Sequence, residues 1–171
     1  MQDAETLKKP SLRKPTDNEK REIYSVLNSA SSGLPAGYRL LIHELRYREV
    51  LAFTQEETMF LAETISNKKN VYFAGIFAGS FRKDKFKLSL DLVEHLYRRG
   101  YWTNYVILEE NHSKSFLYGR NVENGFLKLV GRGVVLVLNS EKDVIGLGLI
   151  GENSEKLVNL VDKGWYLRKG H

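Results

Sequence analysis

Past Gly100 the apolar residues are gathered into short blocks, "NYVILEE", "FLKLV", "GVVLVL" and "VIGLGLI", each set off by glycine or by a charged turn. Runs this short and this rich in β-branched residues read as strands, and several of them at close spacing build a small barrel or a sandwich. "WYLR", from Trp165 to Arg168, is a candidate closing strand. The longest uncharged apolar run, around Gly133 to Leu138, falls far short of the roughly 20 residues that a bilayer-spanning helix needs.

Before Gly100 the pattern is different. Thr16 to Glu19 form a capping box, with threonine at the N-cap and glutamate three residues on. Ile23, Val26, Leu27 and Ala30 follow at helical spacing, which predicts a helix from about Asp17 to Asn28, ended by Ser31, Ser32, Gly33 and Pro35. Tyr38 to Phe53 reads as two short strands with a turn near Leu45 to Tyr47. "TQEE" (Thr54 to Glu57) opens a second helix carrying Met59, Leu61, Ala62 and Ile65, which stops in "NKKN". In the apolar run "VYFAGIFAGSF", Gly75 and Gly79 point to a strand with a bulge or a close backbone approach.

A third helix is expected near Leu88. Ser89 caps it, Asp91 suits the positive end of its dipole, and Leu88 can staple onto Val93. Leu92, Val93, Leu96 and Tyr97 form its apolar stripe, and Gly100 stops it. The expected fold class is therefore α+β. A first domain over residues 1–93 combines an antiparallel sheet with helices, and a mostly β second domain covers residues 94–171.

The chain contains no cysteine, so disulfide frameworks, thiolate zinc sites and a cysteine nucleophile are excluded. His43, His95, His112 and His171 are far apart and do not pair at metal-ligand spacing. No GxSxG, HExxH or GxxxxGK[ST] motif occurs. "GIFAGSFRK" lacks the glycine that must precede a phosphate-loop lysine. "VIGLGLI" lacks the third glycine and the following helix of a dinucleotide site. Glu109 and Glu110 beside His112 imitate an acid–base cluster, yet neighbours in an extended strand face opposite ways. No catalytic residue, metal or cofactor is expected. The polar N-terminus "MQDAETLKKPSLRKP" carries no apolar signal core, which leads to the expectation of a soluble, cytoplasmic protein.

The formal net charge is +5, a balance that favours polyanionic partners, chiefly nucleic acid. Two basic clusters stand out: Arg82, Lys83, Lys85 and Lys87 within six residues, and Lys163, Arg168 and Lys169 at the C-terminus. The first, where Phe86 and Leu88 alternate with lysines, meets RNA or an acidic protein, or only keeps an edge strand from pairing.

"SFLYGRNV" (Ser115 to Val122), followed by "GFLKLV", "GVVLVL" and "VIGLGLI", resembles the PUA domain. In that family a short helix runs into a glycine turn and a compact pseudobarrel follows. Gly119 matches the turn glycine, and Gly146 and Gly148 match those of the final strands. "RKPTDNEKREIYSVL" and "VYFAGIFAGSFRKDKFKLSLDLVEHL" are similar to the opening and central segments of the Nip-seven family, ribosome-biogenesis factors in which a pre-PUA domain precedes the PUA domain. With no cysteine and this length, the chain resembles an archaeal member.

The resemblance implies a non-catalytic factor that binds precursor rRNA, often uridine-rich, during large-subunit assembly. Its implied partners are RNA and other assembly proteins, with no membrane contact, and it implies a monomer. RNA-contact candidates on the PUA surface are Lys114, Gly119, Arg120, Asn121, Lys156, Lys163, Arg168 and Lys169. The segment "GENSEKLVNLVDKGW" departs from its relatives in placing Glu152, Glu155 and Asp162 beside Lys156 and Lys163. Arg120, directly after the turn glycine, is the foremost candidate, since a guanidinium matches phosphate geometry. Phe116, Leu117 and Tyr118 read as core and corner packing, with base stacking the alternative for Tyr118. Two other functions stay open. One is a protein adaptor docking through the aromatics of "VYFAGIFAGSF"; the other is an RNA-targeting subunit of a modifying enzyme.

Overall fold

A computed structural model describes residues 11–28, 33–44, 47–65 and 75–165. The expected turn at Leu45 and Arg46, the "NKKN" stop and the candidates Arg168 and Lys169 lie outside these. The chain divides into two compact units. One gathers the described residues of Met1–Ile23 and Pro35–Leu92, the other those of Tyr24–Leu34 and Val93–His171.

In the first unit, β1 (Ser11–Arg13), β2 (Arg39–Glu44), β3 (Arg48–Phe53), β4 (Ile76–Arg82) and β5 (Lys85–Leu88) form an antiparallel sheet in sequential order. Helix α1 (Asp17–Asn28) follows β1, α2 (Glu56–Ile65) lies between β3 and β4, and α3 (Leu90–Arg98) follows β5; the division between units passes through α1 and α3. The first capping box is reciprocal: the Glu19 N–H donates to Thr16 Oγ1 at 3.3 Å, and the Thr16 N–H donates to Glu19 Oε2 at 2.8 Å. Ser89 caps α3 by accepting the Leu92 N–H at 3.1 Å.

Leu41, Leu51, Phe53 and Ala62 make a core against which Leu12, Met59 and Phe77 pack. Gly79 earns its place in β4. The ladder pairs Val50 with Gly79 but Leu51 with Phe77, so Ala78 is a bulge. At φ +150°, a Cβ on Gly79 would stand 2.1 Å from the Lys87 carbonyl oxygen.

The second unit holds β6 (Tyr105–Leu108), α4 (Glu110–Leu117), β7 (Val122–Glu123), β8 (Phe126–Val130), β9 (Gly133–Leu138), β10 (Val144–Ile150) and β11 (Lys156–Asp162). Its sheet runs β7-β11-β10-β9-β6-β8 and curls into a half-barrel. The β6–β9 pair is parallel, which the chain reaches by crossing over through α4 and β8. Val106, Leu108, Phe116, Val122, Val135, Val137, Ile145, Ile150 and Leu157 close the core beneath α4. Gly146 makes room for the helix: a Cβ there would lie 2.7 Å from the Phe116 ring and 2.3 Å from the Val161 carbonyl oxygen.

Two details differ from the sequence reading. Trp165 does not begin a strand, because Lys163 and Gly164 turn the chain and Trp165 follows that turn. The strand that flanks β10 is instead β11, drawn from the charged segment after Gly151. There Leu157 and Asp162 are buried, and a register shift leaves Leu160 bulged and exposed.

Candidate functional site

The end of α4 sets the geometry of the candidate surface. Tyr118 is the C-cap, and Gly119, at φ +81°, takes the left-handed position. The Gly119 N–H donates to the Phe116 carbonyl at 2.9 Å and the Arg120 N–H to the Ser115 carbonyl at 3.2 Å, the two bonds of a Schellman motif. That motif usually folds an apolar residue at the Arg120 position back onto the last turn of the helix. Here the helix offers Lys114 and Ser115 there, so no apolar contact holds Arg120 down.

The three residues before the glycine have different fates. Phe116 is fully buried, Leu117 is partly buried and Tyr118 is 71% exposed. Corner packing therefore holds for Phe116 and Leu117 but not for Tyr118, whose C-cap position turns its ring outward. Arg120 is also exposed, and no carboxylate among the described residues pairs with it.

Asn159, which the sequence reading did not single out, anchors the turn to β11. Its Nδ2 donates to the Phe116 carbonyl at 2.7 Å, and its backbone N–H donates to Asn121 Oδ1 at 2.9 Å. Asn121 is thus engaged by its oxygen in holding the turn. An asparagine in a strand carries no sequence signal of such a role. On the same side, a Cβ on Gly164 would stand 2.1 Å from the Leu117 carbonyl oxygen. The turn after β11 therefore lies against the end of α4, and Trp165, 45% exposed, follows it.

The remaining candidate cations in the described region are held by carboxylates. Lys114 Nζ lies 2.7 Å from Glu110, Lys156 Nζ 2.8 Å from Glu123 and Lys163 Nζ 3.0 Å from Glu94. The hydrogen bond from Lys114 lowers the Glu110 pKa, and that from Lys156 lowers the Glu123 pKa. Burial pushes the Glu94 carboxyl up, but hydrogen bonds from Arg98 and Lys163 outweigh it and hold the pKa below its ordinary value.

Glu109, Glu110 and His112 do not converge. Glu110 is bound to Lys114, while His112 Nδ1 lies 3.5 Å from Glu109 in a geometry that makes no hydrogen bond. Among the described residues no group of three or more His, Asp or Glu side chains is placed to hold a metal ion. No helix among them is long and apolar enough to cross a membrane. What the surface offers chemically is one unpaired guanidinium and an exposed phenol ring two residues apart on a rigid turn.

Residues 104–171 match the UPF0113 PUA domain. The matched stretch spans the curled sheet, α4 and the turn that carries Arg120. Over nearly its full length the chain is similar to a UPF0113 protein of the archaeon Archaeoglobus fulgidus, at 29% identity, covering 92% of this chain and 95% of the relative. Its fold is similar to that of a hypothetical protein from Pyrococcus horikoshii, with a TM-score of 0.50 and 14% identity over 91% of this chain and 98% of the other. A PUA domain crystal structure from Aeropyrum pernix, a tartrate complex, is also similar, with a TM-score of 0.48 and 14% identity over 92% and 90% of the two chains.

Proposed function

We propose that the chain is a non-catalytic RNA-binding factor of the Nip-seven type, acting on precursor rRNA during large-subunit assembly in the cytoplasm of an archaeal cell. In this reading residues 1–93 are the pre-PUA domain and residues 94–171 the RNA-binding domain. Arg120 supplies a phosphate contact and Tyr118 a face on which an unpaired base stacks. The observation that carries the reading is the Arg120 position: a guanidinium with no carboxylate partner among the described residues, held outward by a hydrogen-bonded turn.

A free cation beside an exposed aromatic is the combination that single-stranded nucleic acid uses, one charge for the backbone and one π-face for the base. Lys114, Lys156 and Lys163 join this surface only after giving up their carboxylates, so Arg120 is the first contact. The adaptor reading is the weaker one among the described residues, because Phe81 is buried and Phe77 packs against the core of its own unit, while Tyr72 and Phe73 lie outside them.

Titration of the full chain with a labelled uridine oligonucleotide at several salt concentrations tests the proposal. The affinity of the unaltered chain should fall steeply as salt rises. Arg120→Ala should flatten the log–log slope by about 0.7, the loss of one phosphate contact to a single strand. Absence of binding at low salt, or binding that ignores salt, would overturn it.

A further inference from the structure

The β4–β5 hairpin of the first unit carries charge that its own fold does not explain. Its register pairs Arg82 with Lys85 and Ser80 with Lys87, so Arg82, Lys85 and Lys87 share one face, opposite the buried Phe81 and Phe86. Like charges directly across a strand pair are destabilising. Yet Arg82 and Lys85 stand in that relation at the tip of the hairpin. Lys83 and Asp84 make the turn with φ of 48° and 61°, the left-handed conformation of a two-residue hairpin loop.

Asp84 is at ease there and its carboxylate binds Arg48. Lys83 is not a residue that favours positive φ, and no contact among the described residues repays its being there. Three acids border the hairpin: Glu49, opposite Ser80 on β3, lies 3.6 Å from His43 Nδ1, and the other two are bound. Asp84 is on Arg48, and Glu22 reaches Lys85 at 3.7 Å and accepts the Phe86 N–H at 3.4 Å. Arg82, Lys83 and Lys87 are left exposed with no carboxylate among the described residues.

Protection of the sheet edge does not account for these lysines. β5 is the edge strand, and lysine on an edge discourages pairing with other chains. The outward N–H of Phe86, however, is already occupied by Glu22. The Arg82 guanidinium lies 5.7 Å from the ring centroid of Tyr47, which is 53% exposed, so an aromatic face borders the cations.

We propose that this hairpin is a second RNA-contact surface, on which Arg82, Lys83 and Lys87 take backbone phosphates of a single strand beside Tyr47. Arg82 and Lys87 are diagonal neighbours across the strand pair, roughly 7–8 Å apart along the backbone. Fixed cations at that separation suit successive phosphates of an extended chain, and the adjoining ring suits a base. An acidic peptide has no use for the ring. The surface is independent of Arg120, so each can fail without the other.

The test is the same titration of the full chain with a uridine oligonucleotide, applied to Arg82→Gln/Lys83→Gly/Lys87→Gln. The slope should flatten by about 2, three contacts at about 0.7 each. Lys83→Gly alone relieves the backbone, so it should keep or raise the melting temperature while flattening the slope by about 0.7. An unchanged slope and affinity in the triple variant would overturn the proposal, with Arg120→Ala still reporting on the PUA surface in parallel. It would equally be overturned if the triple variant lost binding to a polyglutamate peptide but bound RNA as before, which would assign the hairpin to an acidic protein. Flattening in the triple variant but not in Arg120→Ala would uphold the hairpin and remove Arg120 from the RNA surface.

Discussion

Two helices of this chain end in the same backbone motif and put it to different uses. At the end of α3 the Gly100 N–H donates to the Tyr97 carbonyl at 3.0 Å and the Tyr101 N–H to the Leu96 carbonyl at 2.9 Å. At the end of α4 Gly119 and Arg120 make the same pair of bonds to Phe116 and Ser115. Both glycines are left-handed, at φ +76° and +81°. The difference is in the side chains that the motif brings together. After α3 they are Leu96 and Tyr101, and the next residue, Trp102, is buried with its Nε1–H on the Asn104 carbonyl at 2.8 Å. After α4 they are Ser115 and Arg120, and the chain stays at the surface through Asn121. The glycine sets the turn, while its flanking residues decide whether the turn leads inward to packing or outward to solvent.

The largest expected effect breaks the inward turn. Trp102→Ala removes one of the largest fully buried side chains and should cost about 3–5 kcal/mol of unfolding free energy, measured by denaturant titration. The RNA salt slope of the protein that remains folded should be unchanged. The next effect contrasts Arg120 with guanidinium groups that do have a carboxylate. Glu19, 5% exposed, accepts hydrogen bonds from Arg13 at 2.7 Å and Arg48 at 2.9 Å. The bond from Arg13 is the main cause that lowers the Glu19 pKa from 4.5 to about 2, against the opposing effect of burial.

A carboxyl whose pKa is lower in the folded state stabilises the fold while it is ionised in both states. That contribution is complete above pH 4.5 and disappears as pH falls towards 2, where the folded carboxyl also takes up its proton. The loss should be about 3 kcal/mol. Glu19→Gln should remove this acid-sensitive component of the stability profile, and an unchanged profile would remove Glu19 from the account.

The parts of the fold that were legible in the sequence are those where a local rule acts alone. Thr16 with Glu19, Ser89 with Leu92, and Gly100 each make the bonds that their spacing implies. Strand β11 was not legible, because its apolar residues are broken by Asn159, and its bulge at Leu160 upsets the alternation on which strand recognition depends. Tyr118 misled for a related reason. Its three-residue apolar run suggests a common fate, but the C-cap lies one step past the buried face, and that step reverses its direction. The charges were the least legible. Lys114, Lys156 and Arg120 look equivalent in sequence, and only the folded chain supplies carboxylates to the first two.

A smaller effect tests whether the two turns are equivalent in backbone. Gly100→Ala meets open space at its Cβ, so its cost is the left-handed conformation itself, about 1 kcal/mol. Gly119→Ala, at nearly the same φ, should cost at least as much. The two variants should part in RNA binding, because only the second disturbs the backbone that presents Arg120. Salt slopes that change equally in both would mean that the turn after α4 has no special relation to the ligand.

The smallest expected effect bears on what makes a surface cation useful. Counterion release rewards a cation only for the phosphate that it neutralises, and a lysine already bound to a carboxylate must first give that partner up. Lys156→Gln leaves Glu123 exposed and unpaired, so it changes the local charge by the same unit as Arg120→Gln. If net charge alone drew RNA to this surface, the two variants would weaken binding equally. If pairing decides, Lys156→Gln should leave the salt slope within error of the unaltered chain, while Arg120→Gln lowers it by about 0.7. Lys114→Gln, which frees Glu110 on the same helix that ends in the Arg120 turn, should behave as Lys156→Gln does. A full slope change in either lysine variant would show that its bound carboxylate is exchanged for a phosphate, and would widen the contact surface from Arg120 to that lysine, Lys114 on α4 or Lys156 on β11.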